Sequence, residues 1–151
     1  MNRWLAGCGL VFGWVIGLGA APIGSERWND ACLRAVYFVD LSEGWAVGDD
    51  GVVWHSIDGG STWERQATGT RASLRAVHFI TPFVGWIVGR EERPDGTSVG
   101  VVLATADGGI RWTRLAWNTL PGLHAVRFFD EKTGIVAGET HDRYSSGVFL
   151  T

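Results

Sequence analysis

The hydrophobic positions of the chain fall into short runs that recur in a fixed order. Each run is rich in β-branched, aromatic and aliphatic residues and is bounded by Gly, Asp or Ser, and none sustains the period of an amphipathic helix. In the run from Leu33 to Phe38, apolar residues occupy both alternating faces, which is typical of a strand covered on both sides. The pattern therefore predicts an all-β chain of short strands that are sandwiched between neighbouring sheets.

Three of these elements form an internal repeat. Copies of the first begin at Leu33, Leu74 and Leu123, so the period is 41 and then 49 residues. The surplus of the second copy is expected in a longer loop that includes residues 91–96. A fourth strand, beginning at Trp63 or Trp112, closes the first two units. The copies of the first element are residues 33–38, 74–79 and 123–128. The second element reads Gly-Trp-x-Val-Gly at 44–48 and 85–89 and Gly-Ile-Val-Ala-Gly at 134–138, and the third is found at 51–56, 100–105 and 147–151.

Four short strands in about 40 to 50 residues is the size of one β-propeller blade. We therefore expect residues 25–151 to form a partial β-propeller with blades at about 33–73 and 74–122 and a truncated blade at 123–151. A solenoid is the alternative fold, although its repeats are usually shorter or helical. Because propellers protect their edges by having about 4 to 8 blades, the open edges of this one are expected to self-associate.

A motif of the form Ser/Thr-x-Asp-x-Gly-x-x-Trp lies between the third and fourth strands of both complete units. It matches the Asp box, or bacterial neuraminidase repeat, in which Asp oxygens accept turn N–H groups, Gly takes a positive φ and the indole packs beneath the hairpin. A structural role is therefore predicted for both copies. The alternative, a glycoside hydrolase pair formed by Asp58 and Asp107, needs the two carboxylates within about 5 to 10 Å of each other. The defined positions are Ser56, Asp58, Gly60 and Trp63 in the first box, and Thr105, Asp107, Gly109 and Trp112 in the second.

Composition and charge narrow the classes of partner. The net charge is -3, which argues against a nucleic-acid protein held by phosphate contacts. Cys8 and Cys32 are the only cysteines, so neither a disulfide framework nor a cysteine zinc site is expected. The four histidines do not cluster by spacing, and the sequence predicts no metal and no cofactor.

The N-terminal residues 1–24 have the pattern of an export signal. Arg3 supplies the positive end, and residues 4–21 are uncharged and largely apolar, so the segment is either a cleaved signal peptide or a retained membrane anchor. The sequence before Cys8 also resembles a lipoprotein cleavage box, which leaves lipidation open. All three alternatives predict an exported protein whose membrane contact is through this segment.

Two pairs of arginines fall at equivalent positions of the repeat. Arg34 and Arg75 begin the first strand of their blades, and Arg65 and Arg114 follow the box tryptophans by two residues. Because guanidinium groups are planar forks of donors, a row of them at one mouth of the propeller suits the carboxylates or carbonyls of a docked polypeptide. The alternative is that each arginine pairs with acids of its own blade, of the type of Glu43 or Asp130.

The combination of Leu-Arg-Ala-Val at residues 33–36, Gly-Trp-Ala-Val-Gly at 44–48 and the box at 56–63 resembles the photosystem II stability and assembly factor family. The resemblance spans residues 33–151 and implies a secreted or lumenal propeller that acts as a non-catalytic, protein-binding assembly factor. Secreted sialidases and other glycoside hydrolases carry the same box, so a fragment of such an enzyme is the alternative. No arginine here is followed by the Ile-Pro pair of a sialidase, which favours the non-enzymatic role.

Overall fold

The structure, a computed structural model, describes residues 32–115, 120–140 and 145–150. The predicted leader, residues 1–24 with Cys8, lies outside these residues. No helix in the described parts of the chain is long and apolar enough to cross a membrane. The strands are β1 (Leu33–Phe38), β2 (Gly44–Gly48), β3 (Val53–Ser56), β4 (Glu64–Gln66), β5 (Ser73–Phe79), β6 (Gly85–Glu92), β7 (Ser98–Thr105), β8 (Thr113–Arg114), β9 (Leu123–Phe128), β10 (Gly134–Gly138) and β11 (Val148–Leu150).

These strands form three antiparallel sheets, each a meander of consecutive strands. Two sheets have four strands, in the orders β1-β2-β3-β4 and β5-β6-β7-β8, and the third has the order β11-β10-β9. The prediction of an all-β, incomplete propeller with four-stranded blades is confirmed. The expected loop at 91–96 differs in one respect, because β6 and β7 extend as a paired hairpin through Glu92 and Ser98, and only its tip is a turn.

Both glycines of the Gly-Trp-x-Val-Gly element are required by close packing within the blade. A Cβ on the first, Gly85, would lie 2.5 Å from the ring of Phe79 on the adjacent strand. A Cβ on the last, Gly89, would lie 2.2 Å from the carbonyl oxygen of Ser73, where the register of β5 and β6 shifts. Any side chain at either position would force the first strand away from the second, and the equivalent glycines of the other two blades have the same neighbours.

Neighbouring blades are joined by hydrophobic layers, each built around a stacked pair of rings. Trp45 of β2 stacks on Phe79 of β5 with ring centroids 3.5 Å apart, and Trp86 of β6 stacks on Phe128 of β9 at 3.8 Å. Leu74 and Leu123, the residues that begin the repeat, are fully buried in these layers. The tryptophan of one blade therefore packs against the phenylalanine of the next, and such pairs add about 0.5 to 1.5 kcal/mol beyond the area they bury.

The fifth residue of the repeated element that begins at Leu33 and Leu74 hydrogen-bonds to the backbone of the next blade. The Tyr37 hydroxyl donates to the Phe79 carbonyl at 2.9 Å, and the Phe128 amide donates to His78 Nδ1 at 3.3 Å. His78 is buried, and burial, aided by the charge of Arg127, lowers its pKa. His78 therefore joins two blades in its neutral form, with the proton on the other ring nitrogen.

The two ends of the blades differ in their connections. We call the end where β1, β5 and β9 begin the mouth end; it also carries the 3-10 turn Asp49–Gly51 that follows β2. We call the opposite end the box end, which comprises the loops 39–43, 80–84 and 129–133 and the hairpins 56–63 and 105–112. Because β5 has seven residues, the two ends are about 20 Å apart.

Candidate functional site

The first Asp box is a closed set of hydrogen bonds within one hairpin. Ser56 Oγ accepts a bond from the Gly60 amide at 2.8 Å and donates one to Asp58 Oδ1 at 2.9 Å. Asp58 Oδ1 also accepts from the Thr62 amide at 2.8 Å, and Asp58 Oδ2 accepts from the Thr62 hydroxyl at 2.7 Å. The amide bond of Thr62 is the main cause that lowers the pKa of Asp58. Both carboxylate oxygens are thus engaged in shaping the turn.

The second box repeats this arrangement with one exchange. Thr105 Oγ1 accepts from the Gly109 amide at 2.9 Å and donates to Asp107 Oδ1 at 2.9 Å. The Arg111 amide donates to Asp107 Oδ1 at 2.9 Å, and Arg111 Nε donates to Oδ2 at 3.2 Å, so a guanidinium replaces the threonine hydroxyl of the first box. The amide bond from Arg111 is the largest cause of the lowered pKa of Asp107. Gly109 has a φ of 88°, which suits glycine.

The two box tryptophans differ in where their indole N–H groups bond. Trp63 Nε1 donates to the Gly60 carbonyl of its own hairpin at 2.9 Å. Trp112 Nε1 instead donates to Gln66 Oε1 of the preceding blade at 3.2 Å, and Gln66 Nε2 donates to the Gly108 carbonyl at 2.8 Å. Gln66 therefore fastens the second box to the first blade. The sequence did not predict this role of Gln66, since nothing in the repeat identifies its partner.

At the mouth end, Arg34 and Arg75 lie on either side of the junction between the first two blades. Arg34 forms a two-point ion pair with Asp49, with Nε to Oδ1 at 3.1 Å and Nη2 to Oδ2 at 2.6 Å. Ser73 Oγ donates to Asp49 Oδ1 at 2.6 Å and accepts from Arg75 Nε at 3.2 Å. The bonds from Arg34 and Ser73 lower the pKa of Asp49, and the bond to Asp49 raises the pKa of Arg34.

An open cleft of about 530 Å³ lies at this junction and contains both arginines. The two other arginines that line it, Arg71 and Arg90, were not singled out by the repeat. Four acidic side chains line the cleft together with the four arginines, so its formal charges balance. Its charged lining residues are Arg34, Arg71, Arg75, Arg90, Asp49, Asp50, Glu91 and Glu92.

The charged side chains continue from the second blade to the third. Arg90 Nη1 donates to Glu139 Oε1 at 2.9 Å, and His124 Nε2, which stands at the position of Arg34 in its blade, lies 3.9 Å from the same oxygen. The hydroxyl of Ser98 also donates to Glu139 and is the main cause of the lowered pKa of that carboxyl group. Asp49, Arg90 and Glu139 occupy one repeat position, directly after the last glycine of the second strand. A charged residue at this position in all three blades was the available signal for them.

The second predicted pair lies on the outer strands, beside the same cleft. Arg114 Nη2 donates to Glu91 Oε2 at 2.9 Å, and Glu91 lines the cleft of Arg34 and Arg75. Arg65 is exposed and lines a shallower cleft of about 350 Å³, which shares Asp50 with the first. Arg114 is thus linked to the mouth end cleft through Glu91, and Arg65 lines a cleft that shares Asp50 with it, whereas Arg34 and Arg75 line the mouth end cleft itself.

The acids that were considered as partners of the arginines lie at the box end instead. Glu43 Oε1 is 3.0 Å from His55 Nε2. Asp130 Oδ1 accepts bonds from the amides of Lys132 and Thr133, both at 2.7 Å. The residues that do pair with Arg34 and Arg114 belong to their own blades, but follow or lie within the second strand.

Arg75 has side-chain donors that no described acid engages. Its blade has Arg90 at the position where the first blade has Asp49, so the acid that would form an ion pair with Arg75 is replaced by a second cation. Arg75 makes no ion pair with a residue that the structure describes, and its bond to Ser73 occupies only Nε. Arg75 lines the open cleft, so its terminal nitrogens can bind a carboxylate or carbonyl group there. Among residues 32–115, 120–140 and 145–150, no three His, Cys, Asp or Glu side chains are grouped as a metal site.

Comparisons with known proteins agree with this architecture. Residues 26–140 match the family model described as photosynthesis system II assembly factor YCF48. No curated protein sequence matches the chain. Among solved structures, one of YCF48 bound to D1 peptide aligns with a TM-score of 0.65 and 24% identity, over 80% of this chain and 38% of that chain. A structure of YCF48 from Cyanidioschyzon merolae aligns with a TM-score of 0.60 and 28% identity, over 80% of this chain and 34% of that one.

The chain thus spans less than two-fifths of the length of these two structures. The family match, by contrast, extends over most of the present sequence, including both Asp boxes and both pairs of arginines. The protein belongs to the YCF48 family of photosystem II assembly factors.

Proposed function

We propose that this chain is a protein-binding part of an exported, non-catalytic propeller that assists photosystem II assembly. Its binding surface is the mouth end cleft, with Arg34 and Arg75 at the centre and Arg65 and Arg114 at the outer margin. The partner is a polypeptide, and neither a nucleic acid nor a cofactor is involved. Contact with a membrane is restricted to the N-terminal segment, residues 4–21.

The observation that carries this proposal is the position of Arg75 beside a satisfied ion pair. Arg34 is held in a fixed position by its ion pair with Asp49, whereas Arg75 has donors that no described acid engages. A polypeptide carboxylate placed between them would gain charge-assisted bonds without breaking the pair of Arg34 and Asp49. The D1 peptide bound by a solved relative belongs to the class of ligand that this cleft suits.

In this proposal the Asp boxes have a structural role and take no part in catalysis. Asp58 and Asp107 each use both carboxylate oxygens inside their own hairpins. Neither side chain is left to act as a general acid or nucleophile toward a sugar. The glycoside hydrolase alternative therefore has no observation in its favour at these residues.

The proposal is tested by measuring binding of the D1 peptide to the Arg34→Glu, Arg75→Glu double variant at low and high ionic strength. We expect at least a tenfold loss of affinity at low salt, because a charge pair that attracts is replaced by one that repels. Arg75→Gln alone should lose most of this affinity while its melting temperature stays at the wild-type value, since Arg75 forms no ion pair with a described residue.

A matched control reverses two exposed charges of the third blade that do not line the cleft, Arg127→Glu and Lys132→Glu. This variant has the same net charge as the double variant but leaves the mouth end cleft intact, so its peptide affinity should be unchanged. Equal binding by the wild type and by both arginine variants would refute the proposal. Equal losses in the control would assign the effect to net charge rather than to the cleft, and would refute it as well.

A further inference from the structure

The box end carries a set of exposed apolar side chains that the proposed function does not use. Ten large hydrophobic residues are exposed among those that the structure describes, and five of them lie on β1 of the first blade and β11 of the third. The other five lie at the box end, where they are 62% to 97% exposed. We call these five the apolar rim: Leu41, Ile57, Phe83, Ile110 and Phe129.

In the first two blades, backbone hydrogen bonds join the two segments that carry the apolar rim. The Gly59 amide donates to the Ser42 carbonyl at 2.8 Å, which holds the hairpin of Ile57 against the loop of Leu41. The Gly108 amide donates to the Phe83 carbonyl at 2.9 Å, which holds the second box hairpin against the loop that carries Phe83. The first two blades thus each present two apolar side chains from two segments that are fixed to each other, and the third blade adds Phe129.

A cleft connects the second blade to the third along this end. It has a volume of about 610 Å³ and is lined by Ile80 and Phe129, with Asp130, Glu131 and Lys132 beside them. Ile80 is half-buried and Phe129 is exposed, so the cleft has apolar surface at its base and at its margin. The apolar rim therefore has members in all three blades, and this cleft adds apolar surface between the second blade and the third.

The turns themselves do not require these apolar side chains. Asp40 Oδ1 accepts bonds from the Ser42 and Glu43 amides at 2.7 and 2.8 Å, and Thr81 Oγ1 accepts one from the Phe83 amide at 3.2 Å. Polar residues therefore shape the loops, as they do in most turns. The apolar side chains are held by rigid loops and cover no neighbour, which is the condition of a preorganised binding surface.

The charge of the box end defines what can bind there. Six acidic and two basic side chains lie in its loops and hairpins. Four of the acids accept backbone N–H bonds that lower the pKa of each carboxyl group, so they remain charged at neutral pH. A partner must therefore combine apolar groups with positive charge. The charged residues are Asp40, Glu43, Asp58, Asp107, Asp130, Glu131, Arg111 and Lys132.

We propose that the apolar rim is a second docking surface, which binds a protein segment that presents apolar side chains next to lysines or arginines. Pairing of the box ends of two copies does not fit, because it would bring acids against acids. An anionic membrane surface is repelled by the same charges. The surface lies about one strand length, 20 Å, from the mouth end cleft, so both can be occupied together.

The test compares two double variants in binding to a synthetic peptide of alternating Lys and Phe residues, followed by fluorescence anisotropy. Phe83→Ser with Phe129→Ser removes two rings of the apolar rim. Val148→Ser with Leu150→Ser is the matched control, because these residues are also exposed but lie on the outer strand of the third blade. We expect a loss of about tenfold or more for the rim variant and none for the control, since central aromatic residues dominate such interfaces.

Two further measurements address charge and site. A peptide with Glu in place of Lys should not bind, and Asp130→Asn with Glu131→Gln should weaken binding and reduce its salt dependence. The Arg75→Gln variant should bind the Lys-Phe peptide as the wild type does, which separates this surface from the mouth end cleft.

The proposal is overturned if the wild type fails to bind the Lys-Phe peptide, or if the rim and control variants lose affinity equally. It is also overturned if the rim variant keeps its peptide affinity but loses binding to vesicles of phosphatidylcholine, because the rim would then bind lipid. A rim variant that keeps its peptide affinity but no longer dimerises in sedimentation would assign the surface to a second copy.

Discussion

Replacing Gln66 with alanine should loosen the junction between the first blade and the second Asp box. The side chain of Gln66 makes two bonds across this junction, to the Trp112 indole and to the Gly108 carbonyl. The first box is the internal reference, because Trp63 bonds within its own hairpin and does not depend on Gln66. The substitution therefore perturbs one box and leaves the other unchanged.

The expected loss follows from what each partner keeps. The Gly108 carbonyl retains a bond from Trp45 Nε1 at 3.3 Å, so it is not left without a donor. The Trp112 indole N–H loses its described acceptor, although Trp112 as a whole is only half-buried. Two neutral hydrogen bonds at about 0.5 to 1.5 kcal/mol each give an expected decrease in the free energy of unfolding of about 1 to 3 kcal/mol.

Denaturation in urea, followed by tryptophan fluorescence, measures this decrease. Arg65→Ala is the matched control, because Arg65 lies on the same strand but is exposed, and such surface substitutions usually change stability by less than about 0.5 kcal/mol. A double-mutant cycle with Trp112→Phe should show a coupling energy of about 0.5 kcal/mol or more. If Gln66→Ala is no more destabilising than Arg65→Ala, or if the cycle shows no coupling, the bond network described here does not join the blades.

Three further predictions concern the boxes, the blade junction and the open blade face. Asp58→Ala and Asp107→Ala should each lower the melting temperature while the D1 peptide affinity of the folded fraction stays constant; loss of binding by a fully folded variant would refute the structural role. Burial lowers the pKa of His78 in the folded protein, so the unfolded chain binds the proton first as the pH falls. The contribution of neutral His78 to stability is therefore complete above about pH 6.5 and is lost as the pH falls toward the pKa of His78 in the folded protein. Thermal melts of wild type and His78→Tyr between about pH 7 and 5 should therefore converge as the pH falls, and parallel curves would contradict this. Leu150→Lys should reduce concentration-dependent self-association in sedimentation, because Leu150 is 79% exposed on the outer strand of the third blade, and an unchanged association constant would exclude that face.

The repeat predicted the parts of this structure that depend on neighbours within one blade. The strands, their order and the two box hairpins follow from Gly, Trp and Asp at fixed positions, because each contact is made with the adjacent strand. Gly85, for example, must be glycine only because Phe79 lies across from it. Such contacts recur in every blade and are visible as repeated letters.

Polar contacts between blades were not predictable in the same way. Gln66, Asp49 and Glu139 each bond to a residue of the next or preceding blade, and their identities differ from one blade to the next. The repeat placed Arg34 and Arg75 at one end, as the structure shows, but could not tell which of them has an acid beside it. That distinction depends on a single position after the second strand, where the three blades carry three different residues.

The difference between repeated and variable positions explains why the mouth end is suited to binding. Leu74, Trp45 and their equivalents repeat because the same packing is needed between every pair of blades, so their repetition follows from the core. Arg75 repeats Arg34 without any such packing requirement, and its blade lacks the acid that satisfies Arg34. A structural role in the blade would have preserved the acid together with the arginine. The retained guanidinium and the exchanged acid together leave a positive donor facing an open cleft, and a ligand carboxylate is the group that completes it.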